Sequence, residues 1–312
     1  MINRRHIRIK VMQSFFALLK SKSDDLVREE KFLYFSIDRL YDLYVLQLTL
    51  LLEVKKFAKK KLAISKKGRV TKIENKQGLE NLSNNKFLDI IDESLSIKEY
   101  IDNKRLDNWK DVTEYLQIIL DEIKKSELFI EYNKIKEPSF KEDKEFVISV
   151  FRQIVAPNEK LLDYYEDQNI GWIDDLPFVN TLVSKKYSKT KETTILELEN
   201  LYKDNDDRQF VRELFTKLAL NHTKFDEEID KKTPNWEYDR IAGMDLILIK
   251  MAMTEFVYFP SIPTKVSINE YLEIAKDYSS KNSSFFINGV LDKIEKEYTK
   301  DDKINKIGRG LL

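Results

Sequence analysis

The chain has 312 residues, enough for one large or two ordinary domains with a real core. Its 54 basic and 54 acidic residues cancel, so no global field draws it to nucleic acid and any basic site must be local. Cysteine is absent, which excludes disulfides, thiolate metal sites and cysteine nucleophiles.

Seven glycines and six prolines fall far below the usual share of about 12%, so turns are scarce, helices are long, and the expected fold class is all-α. The most apolar stretch, Leu43 to Leu52, is interrupted by Gln47 and Thr49 and is too short to cross a bilayer; a soluble protein without membrane contact is expected. The N-terminus is arginine-rich like a targeting segment, but Lys20 and Lys22 follow its apolar run with no small-residue cleavage site.

In chain order, Asn3 can cap a first helix whose Val11, Phe15 and Leu19 share one face with Arg4 and Arg8. The first 23 residues carry six positive charges (Arg4, Arg5, Arg8, Lys10, Lys20, Lys22) and no negative one. Cations at a helix start oppose the macrodipole by about 0.3 to 1 kcal/mol each, so local stability does not ask for these arginines. Next, Leu33, Ile37, Leu40, Tyr44, Gln47, Leu51, Val54 and Ala58 alternate spacings of four and three, a coiled-coil-like seam with one polar interruption. Nine basic residues without an acid then run from Lys55 to Lys72 and end near Gly68 and Gly78. That run reads as a solvated helix end and linker, or as a basic patch that contacts nucleic acid. Segments around Leu88, Tyr100 and Trp109 to Leu128 read as helical, and Asn81 to Asn85 as a loop.

A shift of 64 residues places Phe146, Val147, Phe151, Trp172, Asp175 and Leu182 on Phe210, Val211, Phe215, Trp236, Asp239 and Leu246, the trace of an internal repeat. Thr233 and Pro234 can open a helix that carries Trp236 in its first turn. Near the end, Ser267 and Glu270 have capping-box spacing after Pro263, with Val266 placed to staple onto Tyr271. In the last helix Phe286, Val290 and Ile294 recur at spacing four beside Ile287 and Leu291, and Gly289 among them suggests close helix packing. The polar loop from Ser279 to Ser284 brings Tyr278, Lys281 and Asn282 beside a helix N-terminus, whose free amides suit a phosphate.

The segments Ile262-Pro263-Thr264-Lys265-Val266-Ser267-Ile268-Asn269-Glu270 and Phe285-Phe286-Ile287-Asn288-Gly289-Val290-Leu291-Asp292-Lys293 resemble the C-terminal signature of the NusB family of bacterial transcription antitermination factors. Arg4, Arg5, Arg8, Gln13 and Phe16 are similar to that family's opening helix. The resemblance implies a NusB-like helical core from residues 1–23 and 200–312, with 24–199 as a helical insertion. It further implies a cytoplasmic bacterial factor that binds boxA-type RNA together with NusE, a ribosomal protein of the small subunit, within the RNA polymerase elongation complex. By position, Asn3, Arg4, Arg5, His6, Arg8, Tyr278, Lys281, Asn282 and Phe286 would meet RNA, and Phe16 and Asp245 would meet the partner protein. The family pattern commonly has a third arginine where His6 stands, a tyrosine at Phe16, an arginine at Lys250 and a lysine at Phe285, so the resemblance implies a thinner basic surface here.

No catalytic constellation emerges, and neither an enzyme nor a cofactor is expected. His222 has no second histidine near it, the pairs Asp24–Asp25, Asp174–Asp175, Asp206–Asp207 and Asp301–Asp302 sit at helix ends, and the glycines form no phosphate loop. NusB-like domains also open some ribosomal RNA methyltransferases, but here the signature lies near the end of the sequence. The alternative to an RNA-binding factor is a helical scaffold that binds proteins through the Leu33–Ala58 seam.

Overall fold

The computed structural model describes residues 1–67, 76–232 and 241–311, and among them every regular element is helical. They divide into two compact units, Met1–Ile37 with Asn200–Leu312, and Asp38–Glu199. The proposed helix at Trp236, two positions of the 64-residue repeat, and Gly68, Arg69 and Lys72 lie outside the described residues.

The first unit is built from α1 (Arg4–Ser21), the opening turns of α2 (Leu26–Lys67), α12 (Asn205–Lys232), α13 (Gly243–Tyr258), α14 (Thr264–Tyr278) and α15 (Ser283–Lys300). α13 is its axis: every residue from Ile247 to Phe256 is buried, because α1, α12, α14 and α15 surround it. α12 lies antiparallel to it, with Tyr258 donating to Asn221 and Lys250 paired with Asp226. α1 runs beside α12, Arg4 meeting Asp207 at one end and Phe15 lying edge-on to His222 at the other. At the end of α13 the Glu255 and Phe259 carbonyls, each already accepting a backbone amide, also accept from the Lys306 Nζ at 3.0 and 2.9 Å.

The expected capping box at Ser267 does not form. α14 begins four residues earlier, with Pro263 at its N-cap; Ser267 is fully buried and Val266 exposed.

In the second unit the remainder of α2 is the centre. The seam residues are all buried, Leu33 and Ile37 in the first unit and Leu40 to Ala58 in the second, and so are Leu43, Val45, Leu46, Leu48 and Leu50 between them, so the seam offers no free coiled-coil face. Around it stand α3 (Lys76–Ser83), α4 (Lys86–Glu93), α5 (Leu95–Lys104), α6 (Asn108–Asp111), α7 (Thr113–Lys125), α8 (Glu127–Lys134), α9 (Phe140–Val150), α10 (Glu159–Gln168) and α11 (Gly171–Lys189). Their aromatic tips hydrogen-bond α2: Trp109 to the Leu46 carbonyl, Trp172 to that of Arg39, Tyr187 to that of Leu48. Gln47, the polar interruption, accepts from Tyr165 at 3.0 Å and donates to Asn180 at 2.7 Å.

Several local expectations are corrected here. Asn81 belongs to α3, where it donates to the Tyr132 and Ile135 carbonyls, while Asn85 caps α4. Gly78 is a packing residue rather than a linker end, since a Cβ there would come within 2.7 Å of the Phe129 ring in α8. Lys55 is buried against Asn85 and Asp89, and Lys56 pairs with Glu53 and Asp92, so the start of the basic run is structural. The repeat is not mirrored locally: α9 passes into a π-turn at Phe151–Val155, whereas Phe210 to Phe215 lie in one uninterrupted helix.

Candidate nucleic-acid interface

Asn3 caps α1 as its sequence suggests, its side chain accepting from the His6 amide at 2.9 Å. The helix therefore starts with its arginines facing a cleft of about 740 Å³, walled by Asn3, Arg4, Arg5, Lys265, Val266 and Glu270. Exposure separates the three arginines. Arg4 holds Asp207 through Nε at 3.0 Å and lies 5.1 Å over the Phe210 ring, and Arg5 grips both carboxylate oxygens of Glu270 at 2.8 and 2.9 Å; their side chains remain 42% and 43% exposed.

Arg8 is different and corrects the expectation of a phosphate contact. Its side chain is only 3% exposed, and it donates to both oxygens of the fully buried Glu255 at 2.7 and 2.9 Å. Ser267 and Tyr271 complete the carboxylate's partners at 2.6 and 2.7 Å. Burial alone would raise the Glu255 pKa, but the Arg8 charge and these hydrogen bonds outweigh it and hold the carboxyl below its ordinary value. Arg8 is a core residue that joins α1 to α13 and α14.

His6 contributes no charge at neutral pH, because burial, with Lys10 and Arg5 close by, pushes its imidazole down to about 4. Lys265, which no local sequence pattern marks as a site residue, supplies another exposed cation to the cleft.

The serine-rich loop lies at the other end of α14. Ser279 donates to Asp245, and its oxygen also lies 2.9 Å from the Ser283 hydroxyl, which is 2.8 Å from that of Ser280. The hydroxyls therefore tie the loop to the start of α13, a packing reason that its composition hides. Asp245 is buried in that tie, so it does not present its carboxylate to a partner. Lys281 and Asn282 are exposed, Tyr278 is half-buried at the end of α14, and Phe286 and Asn282 line a small cavity of about 200 Å³ with Asp245 and Ser283.

The arginines and the loop do not share a cleft. Arg8 meets α13 at Glu255 and Ser279 meets it at Asp245, ten residues apart, or about 15 Å along the axis. Phe16 presents a 36% exposed ring with Lys20 5.4 Å over it. Among the described residues, no three His, Asp or Glu side chains gather as metal ligands, and no helix is long and apolar enough to cross a membrane.

The fold and the site define an all-α protein whose charged cleft opens at the start of its first helix. The NusB family model matches residues 176–296, from α11 through most of α15; α1 lies outside that match. Similar relatives are the Transcription antitermination proteins NusB of Salinibacter ruber (42% identical over 112 residues, 36% of this chain and 70% of the relative) and of Chloroherpeton thalassium (38% over 114 residues, 36% and 54%). A third, from Natranaerobius thermophilus, is 38% identical over 92 residues, 30% of this chain and 66% of the relative. No solved structure matches. The chain belongs to the NusB family, as a form longer than these relatives.

Proposed function

We propose that the chain is a transcription antitermination factor, a binding protein rather than an enzyme, which holds boxA-type RNA together with NusE in the RNA polymerase elongation complex of the bacterial cytoplasm. The observation that carries this reading is the cleft with half-exposed Arg4 and Arg5 and exposed Lys265. The carboxylate partners of Arg4 and Arg5 do not forbid a phosphate. Solvent-exposed pairs are worth only about 0.2 to 1 kcal/mol, so an RNA phosphate can take over either guanidinium at small cost. The same logic removes Arg8 from the RNA contacts, since its pair is closed off from solvent.

A strand leaving the cleft can pass along the α13–α14 pair to Lys281, Asn282 and Phe286, where a base stacks on the ring or bonds the amide. Phosphate contacts would set affinity and register; the loop would read sequence. Phe16 is the proposed contact for NusE, while Asp245 acts through Ser279 by holding the loop. The scaffold alternative loses its surface, because the Leu33–Ala58 seam is buried.

The test is a titration of boxA-type RNA with and without NusE. Binding should tighten with the partner, and Arg4→Ala with Arg5→Ala should weaken all RNAs alike. RNA binding that ignores both substitutions would defeat the reading.

A further inference from the structure

A second charged groove opens within the first unit, between the opening turns of α2 and of α12. It encloses about 720 Å³, and its walls include Glu30, Tyr34, Arg208, Arg212, Glu213 and Lys217. Its cations differ from those of the α1 cleft. Arg4, Arg5 and Arg8 each hold a carboxylate, whereas Arg208 and Lys217 have no carboxylate partner among the described residues; their contacts are ring faces, Tyr34 at 5.9 Å and Tyr258 at 5.2 Å. Arg212 makes a single loose pair, Nε to Glu30 at 3.4 Å, and its side chain is 70% exposed.

Tyr34 is fixed by its hydroxyl, which donates to the Arg208 carbonyl at 3.3 Å. The groove thus combines free cations with an aromatic ring and a guanidinium plane, the parts that hold a single strand by phosphate contact and base stacking. Its position adds a second argument. The same turns of α12 that offer Arg208 and Arg212 to the groove offer Asp207 and Phe210 to Arg4, so the two clefts flank one stretch of helix.

Building on the RNA-binding reading above, we infer that this groove holds a second segment of the same single-stranded RNA, with Arg208, Arg212 and Lys217 on its phosphates and a base against Tyr34. RNA that reaches beyond the boxA-type core would continue from Arg4 along α12. The groove then lengthens the bound strand without reading its sequence.

The experiment compares a boxA-type core RNA with the same RNA carrying oligouridine extensions, each titrated across a salt series. The extended RNA should bind more tightly and with a steeper salt dependence. At about 0.7 in the slope per phosphate contact, Arg208→Ala with Arg212→Ala should flatten the extended RNA's slope by about 1.4, so a fourfold rise in salt weakens it about sevenfold less. The core RNA should not respond to that pair. Tyr34→Ala should weaken the extended RNA at every salt concentration with its slope unchanged. Equal slopes for the two RNAs, or equal losses on both in the arginine variant, would overturn the inference and leave the α1 cleft standing. A core RNA that does not bind at all would defeat the RNA-binding reading itself, and this one with it.

Discussion

Replacing Arg8 with alanine should cost far more stability than replacing Arg5, although the two stand one helical turn apart. The wild-type guanidinium donates two hydrogen bonds of 2.7 and 2.9 Å to the Glu255 carboxylate, and both groups are closed to solvent. Arg8→Ala leaves Glu255 with only Ser267 and Tyr271 as partners, both neutral donors. Breaking one side of a buried pair costs about 3–5 kcal/mol, a large share of the roughly 5–15 kcal/mol that holds a domain folded. Arg5→Ala removes a half-exposed pair worth about 1 kcal/mol or less. Hydrogen exchange resolved on α13 is the suitable assay, because it separates this unit from the second.

The pH dependence adds a sign. In the wild type the Glu255 pKa is depressed, so its stabilisation is complete above about pH 4.5 and drains as pH falls through the lower folded value. Without Arg8, burial dominates and the folded pKa rises above the unfolded one. The variant's deficit should therefore be largest at neutral pH and shrink on acidification. An Arg8→Ala protein within about 1 kcal/mol of wild type, or a deficit that grows in acid, would refute the account of this pair.

Other outcomes follow from the same geometry. Glu270→Gln should free the Arg5 fork and tighten RNA binding several-fold with little change in the salt slope, since Arg5 already counts among the phosphate contacts; weaker binding would mean that Glu270 positions Arg5 instead of competing for it. The His6 imidazole should titrate near pH 4 by NMR, and the stability it contributes, full above about 6.5, should decline as pH falls toward that value. At neutral pH His6→Ala should leave the salt slope unchanged. Gly289→Ala should stabilise the protein by up to about 1 kcal/mol in urea unfolding, since a Cβ there meets nothing within 4 Å. Gly78→Ala should destabilise by about 1–3 kcal/mol, because α3 would have to back away from Phe129 and Asn133.

Helices were legible where local chemistry decides them, as at Asn3, whose side chain caps α1 just where its position suggests. What stayed hidden was tertiary. The arginines at the start of the first helix stand out against the macrodipole, but nothing local links Arg8 to Glu255, 247 positions away. The same holds for the glycines, since a helix records glycine at both Gly78 and Gly289 and only the neighbouring helix tells them apart. The Leu33–Ala58 spacing suggested a seam, yet Leu43, Val45, Leu46, Leu48 and Leu50 make that stretch apolar all round, the sign of a central helix. The Ser267–Glu270 spacing fitted a capping box, but Pro263 starts the helix earlier and turns Ser267 toward Glu255. Within the site, residue types pointed to anion binding, whereas the division between exposed Arg4 and Arg5 and enclosed Arg8 depends on α13 and α14.

The most direct test is the salt dependence of boxA-type RNA affinity, measured for the wild type and for Arg4→Ala with Arg5→Ala. With Arg4, Arg5, Lys265 and Lys281 on phosphates, the slope of log affinity against log salt should be near −3, and the double variant should halve it to about −1.4. A slope that does not change when both guanidinium groups are removed would contradict the assignment of the α1 cleft as the RNA site.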